Sequence, residues 1–195
     1  MRVVNLVGLV LASLLTVHGL RASVAQIRYH RVRYGADRAN AEALQEGMSF
    51  IHRWYPWHDR ACMAIASAAY RESRARNEPA EGRFRTVAGR WCDEGLRLNP
   101  YKRQLNLLKT RLLAEQSLPA AITWWERYVR WHFWDPFNHR IRVELYARQG
   151  DYAAALDALE WTRGSDQYER ARSSLRAAWS HEAEAGHQSP AVNTR

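Results

Sequence analysis

The fold of this chain is decided by a stretch rich in leucine and tryptophan, LNPYKRQLNLLKTRLLAEQSLPAAITWWERYVRWHFWDP, at residues 98–136. Leu105, Leu108 and Leu112 recur at the spacing of one helix face. Pro119 follows soon after and suits the first turn of a second helix, where an N–H is not needed. The second helix is apolar around much of its circumference. The stretch therefore predicts a helix pair that other helices must cover.

The rest of the chain continues this helical pattern. Only 10 of its 195 residues are glycine and 6 are proline, and no alternating run typical of a strand is present. Nine tryptophans and nine tyrosines indicate a packed core. Further helices are predicted at residues 37–54, 57–76, 83–98, 137–149 and 152–163, and after 164–166 as far as about 185. The sequence predicts an all-α protein.

An internal repeat is indicated by prolines at the ends of helical stretches. Pro56, Pro100 and Pro136 are 44 and 36 residues apart. Small and bulky residues recur at similar spacing in three groups, namely Ala88, Cys92 and Gly95, then Ala121, Trp125 and Tyr128, then Gly150-Asp151-Tyr152 with Ala155, Leu156 and Leu159. On these residues the chain resembles the tetratricopeptide repeat (TPR) family over residues 57–163. The resemblance implies stacked antiparallel helix hairpins, a TPR-like α-solenoid, and says little about function.

An apolar run of 18 residues without a charge occupies residues 3–20, near the minimum length for a membrane span. Two interpretations remain open. Ser23-Val24-Ala25 offers small residues for cleavage of a secretory signal before Gln26. Alternatively, the run is an uncleaved single-pass anchor. We favour the anchor, which divides the chain into an anchor with a basic juxtamembrane segment (1–35), a TPR-like domain (36–185) and a polar tail (186–195).

Positive charge follows the apolar run closely. The chain has a net charge of +9, and five arginines lie within 18 residues of the end of the run, at Arg21, Arg28, Arg31, Arg33 and Arg38. Arginines beside a span favour the cytoplasmic side and suit anionic headgroups. We therefore expect a single-pass inner-membrane protein whose domain is cytoplasmic, with a periplasmic domain as the alternative.

The sequence gives little indication of catalysis. Eight histidines are scattered without an HExxH pattern, and no glycine-rich phosphate loop is present. His58 and Cys62 have i, i+4 spacing, but two ligands do not make a metal site. Cys62 and Cys92 lie on the two helices of one predicted hairpin and could form a disulfide or remain buried thiols. We expect no enzymatic activity, no cofactor and no metal.

The TPR resemblance implies a concave groove lined by the first helix of each hairpin. The positions that it assigns to this groove are Arg60, Met63, Ser67, Arg103, Asn106, Thr110, Arg140 and Glu144. Three arginines there suit an acidic peptide or a chain carboxylate. The alternative is that these residues are simply exposed to solvent.

A second candidate surface lies before Pro136, where aromatic residues are crowded. Trp131, Phe133 and Trp134 are predicted to protrude on an extra helical turn and to dock on a membrane protein, a lipid interface or a glycan. The alternative is that these rings pack between repeats. Too many rings lie close together here for one hairpin to bury them all.

Taken together, these patterns predict a non-catalytic, membrane-anchored scaffold or accessory subunit that binds another protein or a membrane protein complex. The alternative is a periplasmic envelope protein with a cleaved signal peptide, accessory to surface-polysaccharide assembly or glycan binding. Basic residues are interspersed with acidic ones in the helices after Asp37, which counts against nucleic-acid binding.

Overall fold

The computed structural model describes residues 2–34, 41–79 and 81–187, and within them all regular structure is helical. The helices are α1 (Arg2–Tyr34), α2 (Ala41–Trp54), α3 (Asp59–Ala75), α4 (Arg83–Leu98), α5 (Arg103–Ala114), α6 (Leu118–Val129), α7 (Pro136–Gln149), α8 (Tyr152–Glu160) and α9 (Tyr168–His187). The all-α prediction is thus confirmed for this part of the chain. The predicted boundary at residues 35–36 and the tail from 188 onward lie outside the described residues.

The chain divides into two compact units, residues 1–109 and residues 110–195. Unit 1 contains α1 to α4 and the first part of α5. Unit 2 contains the end of α5 and α6 to α9.

Unit 1 is built around an amphipathic helix and an alanine-rich one. In α2, Leu44, Met48 and Ile51 recur at i, i+4 and i+7 and are buried. They pack against α3, whose buried residues are mostly small, including Ala61, Ala64 and Ala68. Small side chains let helix backbones approach closely, so α3 lies in the middle of this unit and contacts both α2 and α4.

Two helices of unit 1 approach closely at Gly95 of α4. A Cβ at this position would lie 2.7 Å from Leu105 Cδ1 and 3.1 Å from Cys62 Cβ. The neighbouring Cys92 donates its S–H to the Leu105 carbonyl oxygen at 3.3 Å. The spacing of Cys92 and Gly95 thus places small residues where α3, α4 and the start of α5 meet.

Unit 2 is held together by a core among α7, α8 and α9. Its buried apolar residues are Val143, Ala147, Ala155, Ala158, Leu159, Ala171 and Leu175. The turn between α7 and α8 uses Gly150 at φ +80°, a conformation that glycine adopts without strain. Asp151 then caps α8 by accepting the N–H of Ala154 at 3.0 Å. This is the Gly150-Asp151-Tyr152 turn that the sequence singled out.

The predicted end of the second helix at Pro136 is wrong. Helix α6 ends at Val129, and Pro136 is instead the first residue of α7. Asp135 caps α7 by accepting the N–H of Phe137 at 3.0 Å. Proline suits this first position because the N–H that it lacks would have no helical partner. Residues 130–135 are therefore a loop and not an extra helical turn.

Replacing Gly95 with leucine should destabilise unit 1. The added side chain has no room beside Leu105 and Cys62, and overfilling a packed contact costs about 1–3 kcal/mol. Gly89 on the same helix is the matched control, since a Cβ there meets no atom within 4 Å. We expect Gly95→Leu to lower the midpoint of denaturant unfolding in mild detergent and Gly89→Leu to leave it unchanged or raise it. Equal midpoints for the two variants would contradict the packing at Gly95.

Candidate functional site

Helix α1 is apolar and exposed at one end and belongs to the core of unit 1 at the other. One helix of the described chain, α1, is long and apolar enough to cross a membrane, with a mean hydropathy of 1.6 within Val4–Tyr34. An anchor and a signal sequence both meet this criterion. Beyond the apolar run, Ala25 and Tyr29 are buried in the same core as Leu44, Met48 and Ile51. The helix is continuous between these two regions.

Polar contacts join α1 to the turn between α2 and α3. Arg21 donates from Nε and Nη2 to the Trp54 carbonyl oxygen at 3.1 and 2.7 Å. His18 Nε2 lies 3.3 Å from the Tyr55 hydroxyl. At the end of the turn, His58 Nδ1 accepts the Ala61 N–H and thereby caps α3.

The second ring nitrogen of His58 makes a contact with α1. His58 Nε2 lies 3.3 Å from Gln26 Oε1. Because Nδ1 is the acceptor for Ala61, Nε2 carries the proton and donates it to the glutamine oxygen. Burial lowers the pKa of His58, which favours this neutral form.

In unit 2, the loop at residues 130–135 presents the three rings that the sequence singled out. Trp131, Phe133 and Trp134 have exposed fractions of 64%, 56% and 67%. The backbone behind them is fixed by two buried side chains. Asn138 Nδ2 donates to the His132 carbonyl oxygen at 2.9 Å, and His139 Nε2 donates to the Phe133 carbonyl oxygen at 2.6 Å. The rings are therefore displayed on a fixed loop. Their docking role stays a prediction.

A polar network extends from this loop into α6 and α7. His139 Nδ1 accepts from Arg142 Nη1 at 3.1 Å, which fits an imidazole that donates from Nε2. Arg142 Nε donates to Glu126 Oε1 at 2.7 Å, and the Tyr146 hydroxyl donates to the same oxygen at 3.0 Å. Burial lowers the pKa of His139. Burial, followed by the hydrogen bond to Glu126, raises the pKa of Tyr146.

The sequence did not indicate the support beneath this loop. Asn138 and His139 lie two and three residues after Pro136, and both are buried. Buried polar residues in the first turn of a helix are a signal that they bond the preceding loop. The Trp125 indole completes the arrangement by donating to the Asn138 carbonyl oxygen at 2.9 Å.

Several residues assigned to the groove do not face solvent. Asn106 is buried and donates Nδ2 to the carbonyl oxygens of Pro100 and Lys102, so it holds the start of α5. Thr110 is buried as well. For these two residues the predicted surface position is wrong, because they lie on the inner side of α5.

Of the remaining groove residues, Arg60 and Arg103 are exposed and Ser67 is half-buried, as is Met63. Arg140 is half-buried in unit 2, where it pairs with Glu144 and donates Nε to Gln167 Oε1 at 3.1 Å. The groove as a whole stays a prediction.

The two cysteines are free and buried. Burial raises the pKa of each thiol to about 12, so both stay protonated near neutral pH. Cys62 Sγ lies 3.6 Å from His52 Nδ1. Among the described residues, no group of three or more His, Cys, Asp or Glu side chains is placed to hold a metal.

Comparisons of the chain with protein-family models, curated proteins and solved structures gave no match. The resemblance to tetratricopeptide repeats therefore has no support beyond the residues quoted for it.

The neutral state of His139 should make unit 2 sensitive to acid. The unfolded imidazole takes up a proton near its ordinary pKa of about 6.5, whereas burial delays protonation of the folded one to lower pH. The contribution of His139 to stability is thus complete above about pH 6.5 and is lost as the pH falls through the folded pKa.

His139→Phe keeps a ring against Trp161, on which His139 stacks at 5.2 Å, and removes the titration. We expect the melting temperature of the wild-type chain to fall between pH 7 and pH 5 more steeply than that of His139→Phe. Near-ultraviolet circular dichroism would report the melting. Parallel curves for the two proteins would contradict a neutral His139.

Proposed function

We propose that this chain is a non-catalytic scaffold or accessory subunit, anchored in a membrane by α1, which binds another protein or a membrane protein complex. The observation that carries the proposal is the continuity of α1 from the exposed apolar run into the core of unit 1. Cleavage before Gln26 would remove Ala25 from that core, and the shortened helix would begin only three residues before Tyr29. This favours the uncleaved anchor over the signal peptide.

The proposed orientation is cytoplasmic. Arg21, Arg28, Arg31 and Arg33 follow the apolar run within about four helical turns. Positive charge of this kind resists translocation. An anchor also confines the domain near membrane partners and raises their effective concentration, so that weak contacts suffice.

The proposed partner surface is the aromatic loop at residues 130–135. Exposed tryptophans on a fixed backbone suit a protein partner, because little conformational entropy is lost when they are buried. The antiparallel pairs α3–α4 and α7–α8 are compatible with a TPR-like scaffold, which we include in the proposal.

Anchoring is tested by the mass and the extraction behaviour of the native protein. We expect the chain recovered from membranes to have a mass that includes the whole of α1 and to resist extraction with alkaline carbonate. A mass that begins at Gln26, with the protein in the soluble fraction, would contradict the anchor and favour the periplasmic alternative.

Partner binding is tested by a gentle-detergent pull-down of the full chain with and without the exposed rings. We expect a variant with Trp131, Phe133 and Trp134 changed to serine to lose the captured partner, since a ring at the centre of an interface contributes about 2 kcal/mol or more.

The matched control for this pull-down is Trp179→Ser, which removes an exposed ring from α9. It should capture as much partner as the wild type does. Equal capture by the triple variant, at an unchanged melting temperature, would remove the loop from the proposal.

A further inference from the structure

The turn between α2 and α3 carries two exposed indole rings that the proposed partner surface does not include. This turn, residues 54–58 (WYPWH), is named here the WYPWH turn. Trp57 has an exposed fraction of 70% and Trp54 of 42%. An indole combines a large apolar body with one N–H donor, and such rings are enriched where hydrocarbon gives way to water.

The WYPWH turn lies beside the end of the apolar run of α1. The run ends at Leu20, and Arg21, the next residue, holds the Trp54 carbonyl oxygen. His18, within the last turn of the run, contacts the Tyr55 hydroxyl. Each residue of a helix adds about 1.5 Å along its axis, so these contacts set Trp54 and Tyr55 within about one helical turn of the end of the run.

Arginines and rings alternate where the WYPWH turn meets α1. The Arg21 guanidinium lies 5.6 Å from the centre of the Trp54 ring. Trp54 stacks on Phe50 at 6.4 Å, with the ring planes 6° apart, and Arg28 lies 4.0 Å over Phe50. Guanidinium groups bind phosphate, and aromatic rings enter the boundary with the acyl chains. This combination matches the two chemistries of a headgroup layer.

A groove of about 610 Å³ lies between α1 and α2 beside Arg28. Its walls include the apolar side chains of Val24 and Ile27 and the guanidinium of Arg31. Ile27 and Val24 are exposed although they follow the apolar run. They extend the apolar surface of α1 beyond Leu20, next to cationic groups.

We propose that the WYPWH turn is seated in the membrane–water interface, where Trp54 and Trp57 meet lipid and Arg21 and Arg28 meet anionic headgroups. The inference rests on the proposed anchoring of α1 and adds a second point of attachment. One helix through a membrane leaves a domain free to tilt, whereas a helix and an adjacent aromatic turn fix unit 1 against the surface. The partner that this turn contacts is therefore lipid.

The test places an environment-sensitive label on the turn of the full-length chain. The variants Trp57→Cys and Pro56→Cys each put one exposed thiol there, and Pro56→Cys keeps both indoles. Cys62 and Cys92 are buried, with the pKa of each thiol near 12, so the native chain is labelled at the new cysteine. The matched control is Ala75→Cys, exposed at the other end of α3 about 24 Å from Asp59.

The labelled proteins, carrying a nitrobenzoxadiazole group, are reconstituted into vesicles of zwitterionic and anionic phospholipid and separated by flotation. A second set of vesicles carries bromine on the acyl chains. We expect the label at position 57 or 56 to emit at shorter wavelength than the label at position 75. We also expect bromolipid to remove most of its fluorescence and none from position 75.

The outcomes separate the inference from the anchor. In the first outcome the protein floats with the vesicles, but the label on the turn is neither blue-shifted nor quenched. This result overturns the interfacial position of the turn and leaves the anchor in place. If the label is blue-shifted but not quenched by bromolipid, it contacts protein and not lipid, which also overturns the interfacial position of the turn. If the protein does not float, both the anchor and the interfacial position of the turn are overturned.

Discussion

The structure of unit 1 depends on the packing of the second half of α1 against α2 and α3. The two halves of this continuous helix have different surroundings. The first half is apolar on all sides, whereas the second half buries Ala25 and Tyr29 in the core and exposes arginines to solvent. A helix cannot rotate one half independently of the other. The direction in which the apolar run leaves the domain is therefore set by the contacts at Ala25 and Tyr29, and the WYPWH turn lies beside the apolar run for the same reason.

The two aromatic turns share a way of presenting rings to their surroundings. In each, a carbonyl oxygen accepts a hydrogen bond from a neighbouring element, Trp54 from Arg21 and Phe133 from His139. A bond to the backbone fixes the chain and leaves the side chain free to point outward. Exposed tryptophans lower the solubility of a protein, and these rings do not pack in the core. A role in binding therefore explains their position on a fixed backbone better than packing does.

Periodicity and breaker residues predict most of the helices. Leu44, Met48 and Ile51 define one face of α2 without reference to any other part of the chain, and Gly150 and Asp151 define their own turn. Features that depend on distant residues could not be predicted. The place of the WYPWH turn beside α1 follows from a contact across 33 residues between Arg21 and Trp54. The prediction for Pro136 is wrong because proline is compatible with both a helix end and a helix start.

The difference between the two turns lies in what their backbones are bonded to. Residues 54–58 are hydrogen-bonded to α1 through Arg21 and His58. The depth of α1 in a membrane therefore sets the depth of the two indole rings. The described hydrogen bonds of the loop at 130–135 run to α6 and α7 of unit 2. Rings on a turn bonded to a membrane helix suit lipid, whereas rings on a loop bonded within unit 2 suit a protein surface. We therefore assign the two turns to different partners, although both are rich in tryptophan.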